Sequence, residues 1–176
     1  MKKTNLADAV RSIPGFPKQG IIFRDITTLV KDKKAFKESI DALTEKYKNK
    51  GIDIVVGVES RGFIFGSAVA YKLGAGFVLV RKKGKLPAKT ISATYELEYG
   101  TDTLEIHEDA IKPGSKVLIV DDLLATGGTV KAVTGLVGQL MGKIAGIAFV
   151  IELVDLKGKE KLKGYPVYSL IKFKGH

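Results

Sequence analysis

The sequence predicts a single α/β domain in which a mainly parallel, twisted sheet is flanked by helices. Its 176 residues suit one compact domain, since domains average about 150 residues. Apolar runs at 54–58, 116–122 and 144–153 lack the alternation of a half-buried strand, which is typical of strands buried on both faces. Helical patterns lie between these runs, and this order indicates right-handed crossovers between parallel strands.

The N-terminal part of the chain predicts two helices separated by a loop. Apolar residues at helical spacing predict a short helix over 6–13, which stops at Pro14-Gly15. The segment 16–25 contains two further breakers and predicts a loop with a short extended piece. Over 34–48 the apolar residues fall on one face, which predicts an amphipathic helix that ends at Lys50-Gly51.

The rest of the chain alternates strands with helices. The predicted elements are strand 54–58, helix 63–73, strand 77–80, strand 116–122, helix 129–141, strand 144–153 and edge strand 167–173. Between them, 82–109 shows no sustained core periodicity, although 95–99 alternates like an exposed hairpin strand. A loop of that length inside a compact domain is usually functional or disordered.

The composition limits the chemistry that is available to the protein. Lys plus Arg number 29 and Asp plus Glu 19, and the net charge of +10 fits either a nucleic-acid surface or a site for a small, highly charged anion. With no Cys and two His, the chain excludes a disulfide framework, a thiolate nucleophile and a Cys/His zinc site. No targeting segment and no bilayer-length apolar run is visible, and with the absence of Cys this leads us to expect an intracellular protein with no membrane partner.

One predicted strand end carries paired carboxylates and then a glycine-rich turn. Asp121 and Asp122 can accept hydrogen bonds from vicinal hydroxyls or hold Mg²⁺. The turn that follows, a candidate phosphate site at a helix start, comprises Ala125, Thr126, Gly127, Gly128 and Thr129. The alternative is that Asp122 caps a turn and Thr129 caps a helix. The complete string favours a ligand that carries both a phosphate and a diol.

A second strand end repeats this arrangement with a cation added. It consists of Glu59, Ser60, Arg61 and Gly62. An Arg at a helix start is unfavourable unless an anion lies there, because the helix N-terminus is itself positive. The alternative is a surface Arg61 paired with Glu59. Two anion sites in one small domain indicate a substrate with phosphates at both ends.

The long segment between the predicted strands divides by charge. Residues 81–89 contain five cations and no acid, whereas 92–109 contain six acids and no Lys or Arg. A loop that closes over a charged substrate would use both halves, while a solvated hairpin with compensating charges is the alternative. The Lys-rich segment 157–163 predicts a solvated loop, and His107 a surface residue.

Residues 117–129 resemble the motif that binds phosphoribosyl pyrophosphate (PRPP) in type I phosphoribosyltransferases. Five motifs, in order, are similar to those of the adenine-specific members: FPKQGIIFRD at 16–25, ESRGFIFG at 59–66, RKKGKLP at 81–87, YELEYG at 95–100 and DDLLATGGT at 121–129. The resemblance implies transfer of ribose 5-phosphate from PRPP to N9 of adenine, which gives AMP and pyrophosphate in purine salvage. It also implies Mg²⁺ as cofactor, a homodimer and a cytoplasmic location.

The resemblance further implies a type I phosphoribosyltransferase fold and a specific role for each segment of the chain. One domain would span 1–176, with a base-binding hood at 1–30 and a mobile catalytic loop at 82–109. The 5′-phosphate would lie on Ala125, Thr126, Gly127, Gly128 and Thr129, and the ribose hydroxyls on Asp121 and Asp122. Pyrophosphate would meet Arg61 and the Glu59-Ser60 peptide, where a cis bond is implied. Arg81 and Lys85 would assist, from this or a neighbouring subunit.

The remaining implied roles concern the base and the metal. Ile22, Phe23 and Arg24 would line the adenine pocket, Glu98 would handle the base proton near N7, and Tyr99 would help to close the site. No dedicated protein ligands are expected for Mg²⁺, which PRPP and water would hold near Asp121 and Asp122. The hypoxanthine-guanine enzymes carry an Asp where this chain has Ala125, which favours Glu98 for the proton.

Two departures from this interpretation stay open at the level of sequence. The protein could be a phosphoribosyltransferase for another purine, or a PRPP-sensing regulator that binds nucleic acid. The chain has no added helix-turn-helix or RNA-binding module, so we expect no nucleic-acid partner. Glu59 stands where Asp is more usual in the family, and the longer side chain bears on the geometry of the pyrophosphate loop.

Overall fold

A computed structural model describes residues 5–96 and 100–175 of the chain. The strands are β1 (Arg11–Pro14), β2 (Ile22–Asp25), β3 (Ile54–Val58), β4 (Gly76–Lys82), β5 (Thr90–Glu96), β6 (Thr101–His107), β7 (Lys116–Leu124), β8 (Lys143–Leu153) and β9 (Val167–Phe173). The α-helices are α1 (Thr27–Lys31), α2 (Lys33–Tyr47), α3 (Gly62–Leu73) and α4 (Gly128–Gln139). Short 3₁₀ turns cover Leu6–Ala9, Val154–Leu156 and Gly158–Leu162.

The strands form one large sheet and one small one. The large sheet has seven strands in the order β5-β6-β4-β3-β7-β8-β9. Strands β4, β3, β7, β8 and β9 are mutually parallel, whereas β6 pairs antiparallel with both β4 and β5. The separate β1-β2 ribbon is antiparallel and is here called the hood. The predicted α/β class with a mainly parallel sheet is confirmed.

Apolar cores lie on both faces of the large sheet. Adjacent residues of β3 point to opposite cores, with Val55 in the cluster that includes α2 and α3 and Val56 in the cluster that includes α4. In β7, Leu118 and Ile119 divide in the same way, and all four side chains are fully buried. Strands buried on both faces need no polar alternation, which explains the continuous apolar runs in the sequence.

The order of the strands places the functional loops together. From β3 the chain passes through α3 to β4 on one side, whereas β7 pairs with the other side of β3. The carboxyl ends of β3 and β7 therefore meet at the point where the winding reverses. Open α/β sheets bind ligands at such a point.

Two predicted segments differ from the structure. The predicted helix over 6–13 is wrong beyond a single 3₁₀ turn, because Ile13 pairs with Phe23 in the hood instead. The segment 82–109 is not mainly loop: it contains β5 and β6, and Leu104 and Ile106 are buried in the core. Across the described residues, no helix is long and apolar enough to span a membrane.

The Lys-rich segment 157–163 is exposed at Lys157, Lys161 and Lys163, as its composition predicts, but it is also docked on the domain. Gly158 and Leu162 are buried, and Leu162 belongs to the same apolar cluster as α4. Lys159 forms an ion pair with Glu152 of β8, with 2.7 Å between Nζ and Oε2. Three contacts therefore dock this turn on the body of the domain.

Candidate active site

The two predicted anion loops line one cavity at the carboxyl ends of β3 and β7. The cavity has a volume of about 560 Å³ and is lined by 59–61, by 121–127 and by Thr129. Lys82, Tyr95 and Asp102 complete the wall on the side of β4 and the β5-β6 hairpin. Both ends of a substrate with two phosphate groups can therefore be met within a single cavity.

The loop at 125–129, here called the phosphate loop, leads directly into α4. Gly127 precedes the helix with a φ of +80°, a left-handed conformation that a residue with a Cβ adopts only with strain. Within the described residues, no side chain caps the first amides of α4. The alternative in which Thr129 caps α4 is wrong, because Thr129 lies inside the first turn of that helix and Gly127 occupies the cap position. Uncapped amides at a helix start are a site for phosphate.

The paired carboxylates Asp121 and Asp122 are both buried at the end of β7. The Asp122 amide donates to Asp121 Oδ1 at 2.8 Å. Burial, reinforced by the neighbouring charge of Asp122, raises the pKa of Asp121 well above its ordinary value. A Cβ added to Gly62 would lie 2.8 Å from Asp121 Oδ1, so the start of α3 packs directly on this pair.

Arg61 bridges the two strand ends. Its Nε donates to Asp122 Oδ2 at 2.5 Å, and its guanidinium lies 5.6 Å from the ring centroid of Phe23 in the hood. The alternative that pairs Arg61 with Glu59 is wrong, because Asp122 is the partner, and Asp122 does not merely cap a turn. Arg61 is 43% exposed, so one side of the guanidinium is open to a ligand.

Glu59 anchors the end of β3 to the end of β4. One carboxylate oxygen accepts from Arg81 Nη2 at 3.1 Å and the other from the Lys82 amide at 2.8 Å. Burial raises the pKa of Glu59, but these two hydrogen bonds outweigh it and hold the pKa below its ordinary value. The Glu59-Ser60 peptide bond is cis, as the resemblance implies. The longer Glu side chain thus has a defined partner on the neighbouring strand.

The basic residues at 81–85 occupy different environments. Arg81 is tied to Glu59 and donates to the Lys85 carbonyl oxygen at 3.1 Å. The Lys85 side chain is exposed and, among the described residues, neither it nor Arg81 lines the cavity of this single chain. The cation that does line it is Lys82, whose Nζ lies 3.1 Å from Asp102 Oδ2. This pair partly supports the alternative of compensating charges in the hairpin.

Tyr95 and Asp102 are cavity residues that sequence reasoning did not single out. They face each other across the β5-β6 pair, and the Tyr95 side chain also interacts with Thr129 of the phosphate loop. Burial is the main cause that raises the pKa of Tyr95, and the hydrogen bond from Lys82 is the main cause that lowers the pKa of Asp102. The alternating pattern at 95–99 indicates the strand, but the partner strand is needed to place Asp102.

The three residues predicted for the adenine pocket lie in β2 of the hood. Only Phe23 approaches the cavity, through its contact with Arg61, and it packs edge-on against Phe16. The Arg24 guanidinium is engaged elsewhere: it donates to Ser12 and to the Gly175 carbonyl, and it stacks on Phe173. Ile22, Phe23 and Arg24 are absent from the described lining of the main cavity.

The hood itself is held by Asp25. Its carboxylate accepts from the Thr27 amide at 2.9 Å and from Arg11 Nε at 3.0 Å. The hydrogen bond from the Thr27 amide is the largest cause that lowers the pKa of Asp25 to about 2, and the bond from Arg11 adds to it. Glu98 and Tyr99, predicted for proton transfer and closure, lie outside the described residues.

The cavity offers few donors for a divalent metal. Groups of three or more His, Asp or Glu side chains close enough to hold a metal are absent from the part of the chain that is described. Of the carboxylates that line the cavity, Glu59 is held by Arg81 and Asp102 by Lys82, whereas Asp121 and Asp122 lie side by side at the end of β7. Mg²⁺ commonly takes one or two carboxylates together with substrate phosphates, so this pair fits a metal that arrives with its substrate.

Comparison with known proteins shows which family this chain belongs to. Residues 26–175 match the family model for the phosphoribosyl transferase domain. The chain is 60% identical over 169 residues to the adenine phosphoribosyltransferase of Clostridium kluyveri, a match that covers 96% of this chain and 98% of that protein. A relative from Acidobacterium capsulatum with the same name is also 60% identical, over 96% of this chain and 93% of its own.

Solved structures agree with this assignment. The crystal structure of adenine phosphoribosyltransferase from Thermoanaerobacter pseudethanolicus is 54% identical, with a TM-score of 0.92 over 96% of this chain and 98% of that one. The Saccharomyces cerevisiae enzyme, solved with an imino-altritol bisphosphate and adenine, is 47% identical, with a TM-score of 0.89 over 94% and 96%. The chain therefore belongs to the phosphoribosyl transferase family, among the adenine phosphoribosyltransferases.

Proposed function

We propose that the protein transfers ribose 5-phosphate from PRPP to N9 of adenine and releases AMP and pyrophosphate. The observation that carries this proposal is the single cavity, in which an uncapped helix start and a cationic strand end face each other across buried carboxylates. PRPP carries a phosphate at one end, a diol in the middle and a pyrophosphate at the other end. Each of these groups finds a matching part of the cavity wall.

The phosphate loop is the proposed site of the 5′-phosphate. Backbone amides and the hydroxyls of Thr126 and Thr129 supply donors there. Asp121 and Asp122 would accept hydrogen bonds from the ribose hydroxyls. Departure of pyrophosphate leaves positive character on the anomeric carbon, and buried carboxylates beside it stabilise that charge.

Arg61 and Lys82 are the described cations that would meet the pyrophosphate, together with the Glu59-Ser60 peptide. We assign Arg81 and Lys85 an assisting role at the pyrophosphate, because neither residue lines the cavity of the single chain. They would reach the ligand from a neighbouring subunit, or after the loop at 82–109 moves. PRPP and water would hold Mg²⁺ beside Asp121 and Asp122, and the ion, when bound with PRPP, would neutralise charge on the leaving group. In the structure Arg61 is paired with Asp122, so pyrophosphate must compete with that carboxylate.

The hood is the proposed site of adenine. Phe23 offers an aromatic face beside Arg61, and purine rings stack on such faces. Ile22 and Arg24 flank it in β2, and because the Arg24 side chain is engaged elsewhere, Arg24 would meet the base through its backbone. Glu98 would take the proton that adenine loses, since Ala125 offers no side chain for it. Tyr99, with the rest of the catalytic loop at 82–109, would exclude water.

A homodimer in the cytoplasm completes the proposal. Helix α3 is apolar around most of its circumference, which is typical of a helix that is covered on both sides. In the single chain Ile64 and Tyr71 of α3 are exposed, at 38% and 88%, and Leu79 of β4 is exposed as well. A second copy of the chain would cover these side chains and bring its own basic residues near the cavity.

The proposal is tested with purified protein, PRPP, Mg²⁺ and each purine base in turn, with AMP formation followed by chromatography. We expect turnover with adenine, and competing hypoxanthine, guanine or xanthine should leave the rate largely unchanged. Turnover only with one of those bases would overturn the substrate assignment. Tight, salt-sensitive binding to DNA or RNA without turnover would instead favour the regulator.

The role of Glu98 is tested by Glu98→Gln, with Glu45→Gln on the exposed side of α2 as a matched control outside the proposed machinery. We expect Glu98→Gln to lower kcat by about 10²–10³-fold, because general acid-base groups contribute on that scale. The KM for PRPP should stay within about threefold of the wild-type value, since the PRPP site is untouched. Equal kcat values for the two variants would remove Glu98 from the mechanism.

A further inference from the structure

The 3₁₀ turn Gly158–Leu162, here called the backing turn, lies behind the phosphate loop. A Cβ added to Gly158 would collide with the Ala125 carbonyl oxygen and would lie 3.1 Å from the Gly127 nitrogen. A Cβ added to Gly127 would in turn lie 2.5 Å from the Gly158 carbonyl oxygen. The two glycines therefore let two backbone segments touch with no side chain between them.

The backing turn is fixed from both of its ends. Lys159 pairs with Glu152, which lies on β8 opposite Leu124 of β7, immediately before the phosphate loop. Leu162 is 1% exposed and belongs to the apolar cluster that contains Leu124 and Val130. An ion pair and a buried apolar contact thus hold the turn against the same strand and helix that the phosphate loop connects.

We propose that Gly158 and the Glu152–Lys159 pair are positioning residues that set the backbone of the phosphate loop for the 5′-phosphate. This inference rests on the proposed function, in which residues 125–129 receive that phosphate. The residues themselves contact the loop from behind and do not touch the substrate. They act by holding the Ala125 and Gly127 peptide groups, whose neighbouring amides donate to the phosphate oxygens.

The position of the backing turn gives it a selective effect on ligands. A side chain at Gly158 must push the Ala125–Gly127 backbone toward the cavity, and a shift of about 1 Å in a binding group is enough to weaken a set of aligned donors. Arg61 and Lys82, at the other end of the cavity, belong to different elements. Ligands with a 5′-phosphate should therefore lose affinity, whereas pyrophosphate and adenine should not.

The first experiment compares Gly158→Ala with Gly135→Ala in steady-state kinetics of both reaction directions. Gly135 is exposed within α4, and an added Cβ there meets nothing within 4 Å, so it controls for the glycine-to-alanine change itself. For Gly158→Ala we expect the KM for PRPP and for AMP to rise by about tenfold or more, which corresponds to about 1.4 kcal/mol. The KM for adenine and for pyrophosphate should change by less than about twofold.

A second pair of variants keeps the proposal testable if Gly158→Ala does not fold. Lys159→Met should raise the KM for PRPP about two- to threefold without changing that for adenine, and Lys159→Arg should restore it. A uniform change in all four KM values, or no rescue by Arg, would show that the backing turn supports the fold only.

Failure of this inference is distinct from failure of the proposed function. An inactive wild-type protein that does not bind AMP would overturn the proposed function itself. An active wild type for which Gly158→Ala and Gly135→Ala give equal KM values for PRPP would overturn only the role of the backing turn.

Discussion

The phosphate loop contains no charged side chain, whereas the opposite end of the cavity holds two described cations, Arg61 and Lys82, that are each paired with a carboxylate. At the first end, the left-handed Gly127 and its contact with Gly158 fix the backbone. The pairs at the second end are Arg61 with Asp122 and Lys82 with Asp102. One end is built from peptide groups and the other from ion pairs.

This difference reflects what each kind of donor costs in the absence of ligand. Backbone amides at a helix start carry only partial charge, so leaving them without a partner costs little free energy before phosphate binds. A cation at a partly buried site is costly unless a carboxylate neutralises it. We infer that the 5′-phosphate meets a site that is already formed, while pyrophosphate must take cations away from carboxylates of the protein.

The largest effect is expected from breaking the charged end at Arg61. Arg61→Met removes the cation that we propose for the pyrophosphate and leaves Asp122 buried without its partner, beside Asp121. We expect kcat/KM for PRPP to fall by about 10²–10³-fold, because the variant lacks a cation for the pyrophosphate and leaves the buried Asp122 carboxylate without its partner. Arg61→Lys should recover part of this loss, because Lys keeps the charge but not the planar geometry. Steady-state kinetics with PRPP varied at saturating adenine measures both values.

A smaller effect is expected from the peptide end at Gly127. Gly127→Ala forces a Cβ into a left-handed conformation and to within 2.5 Å of the Gly158 carbonyl oxygen. Strain of this kind costs about 1–3 kcal/mol. We expect the KM for AMP in the reverse reaction to rise about 10- to 100-fold and that for pyrophosphate to stay within about twofold. An equal rise in both KM values would mean that the two ends do not act independently.

Salt should separate the two ends without any mutation. The Arg61 and Lys82 side chains are 43% and 59% exposed, so added salt screens their attraction for pyrophosphate. Between about 0.05 and about 0.5 M KCl we expect the KM for pyrophosphate to rise several-fold, and more steeply than that for AMP, with Mg²⁺ held constant. A steeper rise for AMP would contradict the division between peptide and ionic sites.

The smallest effect is expected from Asp102→Asn, which releases Lys82 from its internal partner. The KM for pyrophosphate should fall by about two- to threefold, because the ligand no longer competes with a carboxylate. As a control, the pH dependence of the melting temperature shows whether the variant has lost the Lys82–Asp102 pair. The hydrogen bond from Lys82 holds the pKa of Asp102 below its ordinary value of 3.8, so the pair stabilises the fold above that value. The stability difference from wild type should be constant at pH 6–8 and shrink as the pH falls below about 4.

Sequence reasoning located the peptide end of the cavity more completely than the charged end. Residues 121–129 form one continuous string, so strand, turn and helix start can be predicted from local pattern alone. The pairing of Arg61 with Asp122 joins residues 61 positions apart and depends on the order of the strands. The same holds for Asp102, which faces Tyr95 only because β5 and β6 pair in that register.

The wrong and incomplete predictions have the same origin. The Lys-rich segment 157–163 has the composition of a solvated loop, and no local signal shows that Gly158 packs on the phosphate loop. The apolar residues of 6–13 fit a helix, but Ile13 gains a strand partner in Phe23. Within 82–109, only the partner strands β4 and β5 reveal that Leu104 and Ile106 are core residues. Tertiary pairing decides each of these segments.

A crystal structure of the protein with AMP, pyrophosphate and Mg²⁺ bound tests the contrast between the two ends most directly. We expect the AMP phosphate on the amides of residues 125–129, with the backbone of the phosphate loop and the backing turn unmoved. At the other end, the Arg61 guanidinium should have left Asp122 for a pyrophosphate oxygen. A rebuilt phosphate loop with Arg61 still on Asp122 would contradict the account.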